Sequence, residues 1–259
     1  MIAIFAAMES EVQPLLQGAS VAGTEDAGGF PVTPVSYGDF DAIICRTGIG
    51  RPAAEATAVV LNRYWPSAAV SIGIAGGLSP SLREGHLILC DSVFVSAASG
   101  YCDVDGSLSA SPHLLEAARK AAEKANMAVS IGASLTVDRV VASAGEKGRL
   151  RGLLGHDVVE MESYWIGKAA VDRSIPFLAV RVVSDEAGDS LPDIDFGNPD
   201  GTANYFRMAS WARHNPDSVS LLAKIAGRSQ TGNAAIARFS SVFFRASVWD
   251  PLLPPDPHV

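Results

Sequence analysis

Apolar residues fall along this chain in two rhythms. Some short runs, such as Ile2–Ala7 and Ala68–Ala75, are apolar at nearly every position and read as strands buried on both faces. Between them lie longer stretches in which apolar residues return every three or four positions, the spacing of one helix face. In chain order the pattern predicts strands at Ile2–Ala7, Phe30–Tyr37, Asp41–Thr47, Ala68–Ala75, His86–Ala97, Val129–Val137, Asp157–Met161 and Pro176–Ser184. It predicts helices at Glu9–Leu16, Arg51–Tyr64, Pro112–Asn126, Gly145–Leu154 and Glu162–Arg173, and a helical final third at Thr202–His214, Asp217–Gly227 and Thr231–Phe239. The punctuation agrees. Gly38-Asp39 suits a hairpin turn, Pro52 suits a first helical turn, Ser111 suits an N-cap, and Gly76-Gly77 breaks the strand pattern before it.

Continuous apolar strands alternating with helices need cover on both faces. The expected fold class is therefore α/β, a three-layer α/β/α sandwich with a central mixed sheet. Residues 1–240 read as a single domain, and residues 241–259 as a Pro-rich apolar C-terminal tail. That tail is expected to pack on its own domain or on an oligomer partner; membrane contact and disorder are the alternatives. In such sheets ligands collect beyond strand ends, and charged residues cluster there. Glu9 and Glu11 follow the first strand, Glu160 and Glu162 flank Met161, and Ser184-Asp185 ends the strand after Pro176.

Composition narrows the function. The chain has 259 residues, 48% of them hydrophobic, enough for a sizeable core. A net charge of −8 without a basic cluster argues against a nucleic-acid partner. No run approaches the ~18 uninterrupted apolar residues of an integral membrane segment, and the N-terminus lacks the pattern of a signal peptide. The three cysteines (Cys45, Cys90 and Cys102) have no metal or disulfide spacing, so they read as small core residues of a cytoplasmic protein.

Gly48-x-Gly50-x-x-Ala53 lies between a strand and a helix and looks like a dinucleotide fingerprint. The fingerprint also needs an acid at the end of the next strand, ~20 residues on. That strand, AVSIGIA, has none. A tight turn with close helix packing, and backbone N–H groups facing a polar ligand, are the better readings. The carboxylates have a duller account as well: Glu9, Glu11, Glu160 and Glu162 could each complement a helix dipole, and Ser184-Asp185 could be turn chemistry. Arg181, inside an apolar strand, is expected to pair with a carboxylate.

AAMESEV (6–12), TGIGRPAA (47–54), SIGIAGGLSPSLREGHLILCDSV (71–93) and VVEMES…PFLAVRVVSDEAGDS (158–190) stand in one order. Together they resemble the nucleoside phosphorylase/nucleosidase superfamily, and within it the branch containing methylthioadenosine/S-adenosylhomocysteine nucleosidase. The final third, with SDEAGDSLPDIDFGNPDG and His214–Pro216, looks more like the hopanoid-associated phosphorylases. The resemblance implies cleavage of the N-glycosidic bond of a purine nucleoside, adenine first among the bases. It also allows a large apolar 5′ substituent, as in adenosylhopane. It implies catalytic roles for Glu11, as base for water, and Asp185, as acid toward N7 of the purine. Ala75, Gly76, Val140, Val141, Glu160, Met161, Glu162 and Ser184 would form the substrate site, with Met161 and Glu162 at the ribose and Glu160 in support. A valine at 140 replaces an aromatic residue often found in the nucleosidases, and Ile74 replaces a polar one near the ribose. No metal or organic cofactor is implied.

The chemistry agrees independently: a departing purine needs a proton while a second carboxyl activates the nucleophile across the sugar. Acidic AMESE suits water better than phosphate, so hydrolysis is expected over phosphorolysis to free base and ribose 1-phosphate. Gly50, Arg51 and Arg83 are the possible phosphate-binding residues of the alternative. A nucleoside-binding protein without catalysis is a second alternative. A homodimer or higher homo-oligomer is the expected assembly.

Overall fold

The computed structural model describes residues 1–97, 100–191, 198–202, 204, 207, 210–211, 218–245 and 249. Its centre is one 11-stranded mixed sheet. The strands are β1 (Ile2–Ala6), β2 (Ser20–Val21), β3 (Glu25–Ala27), β4 (Phe30–Tyr37), β5 (Phe40–Arg46), β6 (Ala69–Gly77), β7 (Leu87–Ala97), β8 (Gly100–Ser109), β9 (Val129–Thr136), β10 (Val158–Glu160) and β11 (Phe177–Asp185). The helices are α1 (Glu9–Leu15), α2 (Pro52–Tyr64), α3 (Pro112–Lys124), α4 (Ala144–Leu154), α5 (Ser163–Val171) and a long α6 (Ser218–Phe243).

The spatial order runs β10-β9-β7-β11-β6-β1-β5-β4-β2. β1 lies parallel to β5 and β6, and β11 parallel to β6. β11 meets β7 antiparallel, so the sheet is mixed as expected. β10 is parallel to β9 and also antiparallel to β6, where Val158 and Val159 face Gly77 and Gly76. That second pairing curls part of the sheet back on itself and brings the ends of β6, β10 and β11 together.

Alternation along each strand feeds two cores. Ile2, Ile4, Val70, Ile72, Leu178, Val180 and Val182 face α1, α3 and α6. Ala3, Phe5, Ile43, Ala69, Ala179 and Val183 face α2 and α5. A smaller apolar cluster under α4 joins Leu135, Val141, Leu150 and Val159. This is the three-layer arrangement predicted from the sequence.

Several boundaries differ. Gly76-Gly77 are the last two residues of β6, so the strand runs two residues past its expected end at Ala75 and stops at the second glycine. An added Cβ would meet Asp185 Oδ2 at 3.3 Å from Gly76 and the Asp185 carbonyl oxygen at 3.1 Å from Gly77. The pair therefore serves close approach of β11 as well as ending the strand. The two predicted helices after residue 217 are one, since Gly227 and Gly232 are tolerated inside α6. β2, β3 and β8 carry too little apolar alternation to be read from sequence. Cys45 and Cys90 are buried free thiols, which burial pushes up to about 12. The side chain of Cys102, most of the predicted 202–214 helix and His214–Pro216 lie outside the described residues. In the predicted tail, α6 continues to Phe243, and Trp249 is buried with its Nε1 donating to the Phe243 carbonyl at 2.7 Å. Residues 246–248 and 250–259 are outside the described residues.

Candidate active site

The ends of β1, β6, β9, β10 and β11 open into one cavity of about 230 Å³. Its lining includes Glu11, Ala75, Gly76, Val140, Val141, Glu160, Met161, Glu162, Ser184 and Asp185, so the tertiary structure gathers the expected catalytic and substrate residues in one place. Ala7, Met8, Ile49, Ile74, Val137, Arg139, Val159 and Leu191 complete it and make most of the wall apolar.

Glu11 stands in the first turn of α1, yet it does not face water as a dipole-complementing residue would. Its carboxylate folds back over the loop after β1. Oε2 accepts from the Ala7 and Met8 N–H groups, both at 3.0 Å, and Oε1 accepts from Ile74 N–H on β6 at 2.9 Å. Burial pushes its pKa up, against those three N–H groups and the charge of Arg181, which pull the other way. Gly73 makes room for it: a Cβ there would stand 2.6 Å from Oε1. Glu9, two residues earlier, is half exposed and pairs with Arg46 at 2.7 Å.

Glu160 and Glu162 divide the work of the turn after β10. Glu160 is committed inward. It pairs with Arg181 at 2.9 Å, accepts from the Thr136 hydroxyl, and accepts the N–H groups of Glu162 and Ser163 at 2.9 and 2.7 Å. Burial alone would raise its pKa, but Arg181, Thr136 and the two N–H groups outweigh it and hold Glu160 below the usual carboxylate range. Arg181 is thus paired as expected, and it also donates to Ser71 Oγ at 2.8 Å. Glu160 supports the turn that carries Glu162. Glu162 accepts from Gly50 N–H at 2.8 Å. Burial, then the nearby charge of Glu160, push it up to about 8.

Asp185 ends β11 and lies on a wall with Ser184, whose Oγ sits 2.7 Å from Asp185 Oδ1 and 3.2 Å from the Ala75 carbonyl. Its other oxygen, Oδ2, pairs with the ammonium of Lys147 on α4. Sequence reasoning missed Lys147. In SAGEKGRLRGLL it sits among charged residues and looks like part of a solvated face, yet it is fully buried.

The possible phosphate residues are not brought together. Gly50 lends its N–H to Glu162. Arg51 is exposed and stacks over Trp165, 4.6 Å from the ring centroid. Arg83 donates to the Pro80 and Leu82 carbonyls at 2.7 and 2.9 Å and lies 3.9 Å from Glu186. None of these three lines the cavity. Among the described residues no group of three or more His, Cys, Asp or Glu side chains is placed to hold a metal ion, and no helix is long and apolar enough to cross a membrane.

A methylthioadenosine/S-adenosylhomocysteine nucleosidase of Tolumonas auensis is 30% identical over 205 residues, covering 74% of this chain and 88% of that protein. In fold, the chain matches the nucleosidase of Neisseria meningitidis, solved in complex with methylthio-immucillin-A, with a TM-score of 0.73. That match has 22% identity and covers 93% of this chain and 97% of the other. It also matches a futalosine hydrolase of Helicobacter pylori with a TM-score of 0.69 and 18% identity, over 92% and 96% of the two chains. These relatives lend no support to the likeness of the final third to hopanoid-associated phosphorylases. The family model of the phosphorylase superfamily matches residues 1–207, a stretch that holds every residue of the cavity, and the chain belongs to that superfamily.

Proposed function

We propose that this protein hydrolyses the N-glycosidic bond of a purine nucleoside, with adenine as the base. The observation that carries the reading is Glu11: a carboxylate sealed by three backbone N–H groups at the cavity wall and made more basic by burial. A general base works best when its pKa lies near the operating pH. Glu11 takes a proton from water as the water oxygen bonds to C1′ of the ribose. The electron pair of the C1′–N9 bond leaves with the purine, and Asp185 supplies a proton to N7. Glu162 holds ribose hydroxyls, and Met161 packs under the ring. The products are free base and a 5′-substituted ribose.

Carboxylates around a cavity repel a phosphate dianion, and Arg51 and Arg83 are engaged elsewhere. Water is therefore the proposed nucleophile. The relatives' names place 5′-methylthioadenosine, S-adenosylhomocysteine and futalosine first among substrates to try. The buried thiols of Cys45 and Cys90 suit a reducing cytoplasm. A homodimer is the proposed assembly, to be checked by light scattering of the purified chain.

The test is base release from those three nucleosides, adenosine and inosine, with and without phosphate. Release in phosphate-free buffer, abolished ~10²–10⁴-fold by Glu11→Gln, is the expected result. Release that requires phosphate would instead establish phosphorolysis. Release from none of them would leave a nucleoside-binding protein.

A further inference from the structure

Lys147 is a fully buried cation with no role in the reaction proposed for Glu11 and Asp185. Its ammonium pairs with Asp185 Oδ2 and donates to the carbonyls of Glu186 and Asp189 at 2.9 and 3.2 Å. All three N–H bonds of the ammonium are therefore spent on one short stretch of chain, the residue at the cavity wall and the turn behind it. That turn is itself held. Glu186 N–H donates to Asp189 Oδ2 at 2.9 Å, and Arg228 on α6 pairs with the same carboxylate oxygen at 2.8 Å. A buried ammonium is costly unless fully paired, and an ordinary turn of this kind does not require one. The cation's distinguishing partner is Asp185, the only one of the three that also lines the cavity.

We propose that Lys147 is a positioning residue for leaving-group protonation. It fixes the Asp185 carboxyl by Oδ2, so that Oδ1, shared with Ser184, is presented to the base. It also meets the negative charge that Asp185 carries once its proton has gone. In that step the Asp185 O–H bond breaks, the N7–H bond forms, and the C1′–N9 electron pair passes to the purine. The carboxylate left behind is then ion-paired with Lys147 and not isolated in an apolar wall. The proposal rests on the hydrolase reading above and assigns Lys147 to one half of that reaction only. Lys147 has no part in activating water, because Glu11 is held by Ala7, Met8 and Ile74.

The experiment compares two leaving groups on wild type and Lys147→Met. One substrate is the adenine nucleoside that wild type cleaves best. The other is 4-nitrophenyl β-D-ribofuranoside, whose nitrophenolate departs without a proton. With Lys147→Met, kcat for the nucleoside is expected to fall about 10²-fold. The nitrophenyl riboside should hold within about three-fold. Equal losses on both substrates would make Lys147 a structural staple of the 186–189 turn and overturn the proposal; so would no loss on either. If the methionine variant does not fold, Lys147→Arg keeps the charge and displaces it. Its nucleoside rate should fall by more than its nitrophenyl rate, and equal falls again overturn the proposal. Wild type that cleaves neither substrate would instead overturn the hydrolase reading, an outcome distinguishable from the failure of Lys147 alone.

Discussion

Two glutamates two residues apart, Glu160 and Glu162, have opposite electrostatic fates, and the difference lies in their partners. Glu160 has Arg181 and stays ionised. Glu162 has one N–H donor, deep burial and a charged neighbour, and is pushed up to about 8. The consequence for stability has a definite sign. In the unfolded chain Glu162 loses its proton near the ordinary value of 4.5, whereas the folded protein keeps it until about 8. The folded state binds more protons across that window, so this residue's contribution is full below 4.5 and is lost as pH rises through about 8. Denaturant unfolding at about pH 5 and about pH 9 should show the loss in wild type. Glu162→Gln should flatten it, and an unchanged slope in that variant would put the titration elsewhere.

Among the elements, β6 works hardest for the site. It is apolar enough to be buried between β1 and β11, and its glycines are clearances for carboxylates on other elements. Gly73 yields to Glu11, and Gly76 yields to Asp185. Because the atom a Cβ would strike at Gly73 is the end of a flexible side chain, Gly73→Ala should move the Glu11 carboxylate and leave the strand intact. The expected result is a loss of ~10–10² in kcat with at most ~1 kcal/mol of stability, read by steady-state kinetics beside thermal melting. A large stability loss with unchanged kcat per folded molecule would show the strand, not the carboxylate, giving way. β6 itself was legible as a buried strand, but its glycines read as a break. A clearance depends on what approaches from another part of the chain, and no local pattern encodes it.

For the molecule as a whole, α6 with Phe244 and Trp249 acts as a cover for one face of the sheet. Phe239, Phe243, Phe244 and Trp249 are buried together, and Phe244 stacks on Tyr37 with ring centroids 5.3 Å apart. Phe40 faces Trp249 at 5.4 Å, so the cluster ties the end of α6 and Trp249 to the β4–β5 hairpin. Phe243→Ala removes a ring with no exposure and should cost ~3–5 kcal/mol. In a chain of this size that lowers Tm by on the order of 10 °C. Activity per folded molecule should be unchanged, because none of these four rings lines the cavity. A fall in kcat with unchanged Tm would contradict this separation of cover and site.

Hydrophobic rhythm by itself determined the layers, most of the strands and the helices between them, because burial on two faces leaves a continuous apolar run in any sequence. It also determined that Glu11, Glu162 and Asp185 fall at element ends, where a sheet leaves room for ligands. Which carboxylate is paired and which is left to the cavity was decided only by tertiary structure. Arg181 lies 21 residues from Glu160, and Lys147 lies 38 from Asp185. The short second pairing of β10 with β6 is likewise invisible along the chain, since the two glycines it needs look like a break in the strand. A charge in a sequence carries no mark of its future partner, and the cost of burying it is settled only when the fold supplies one.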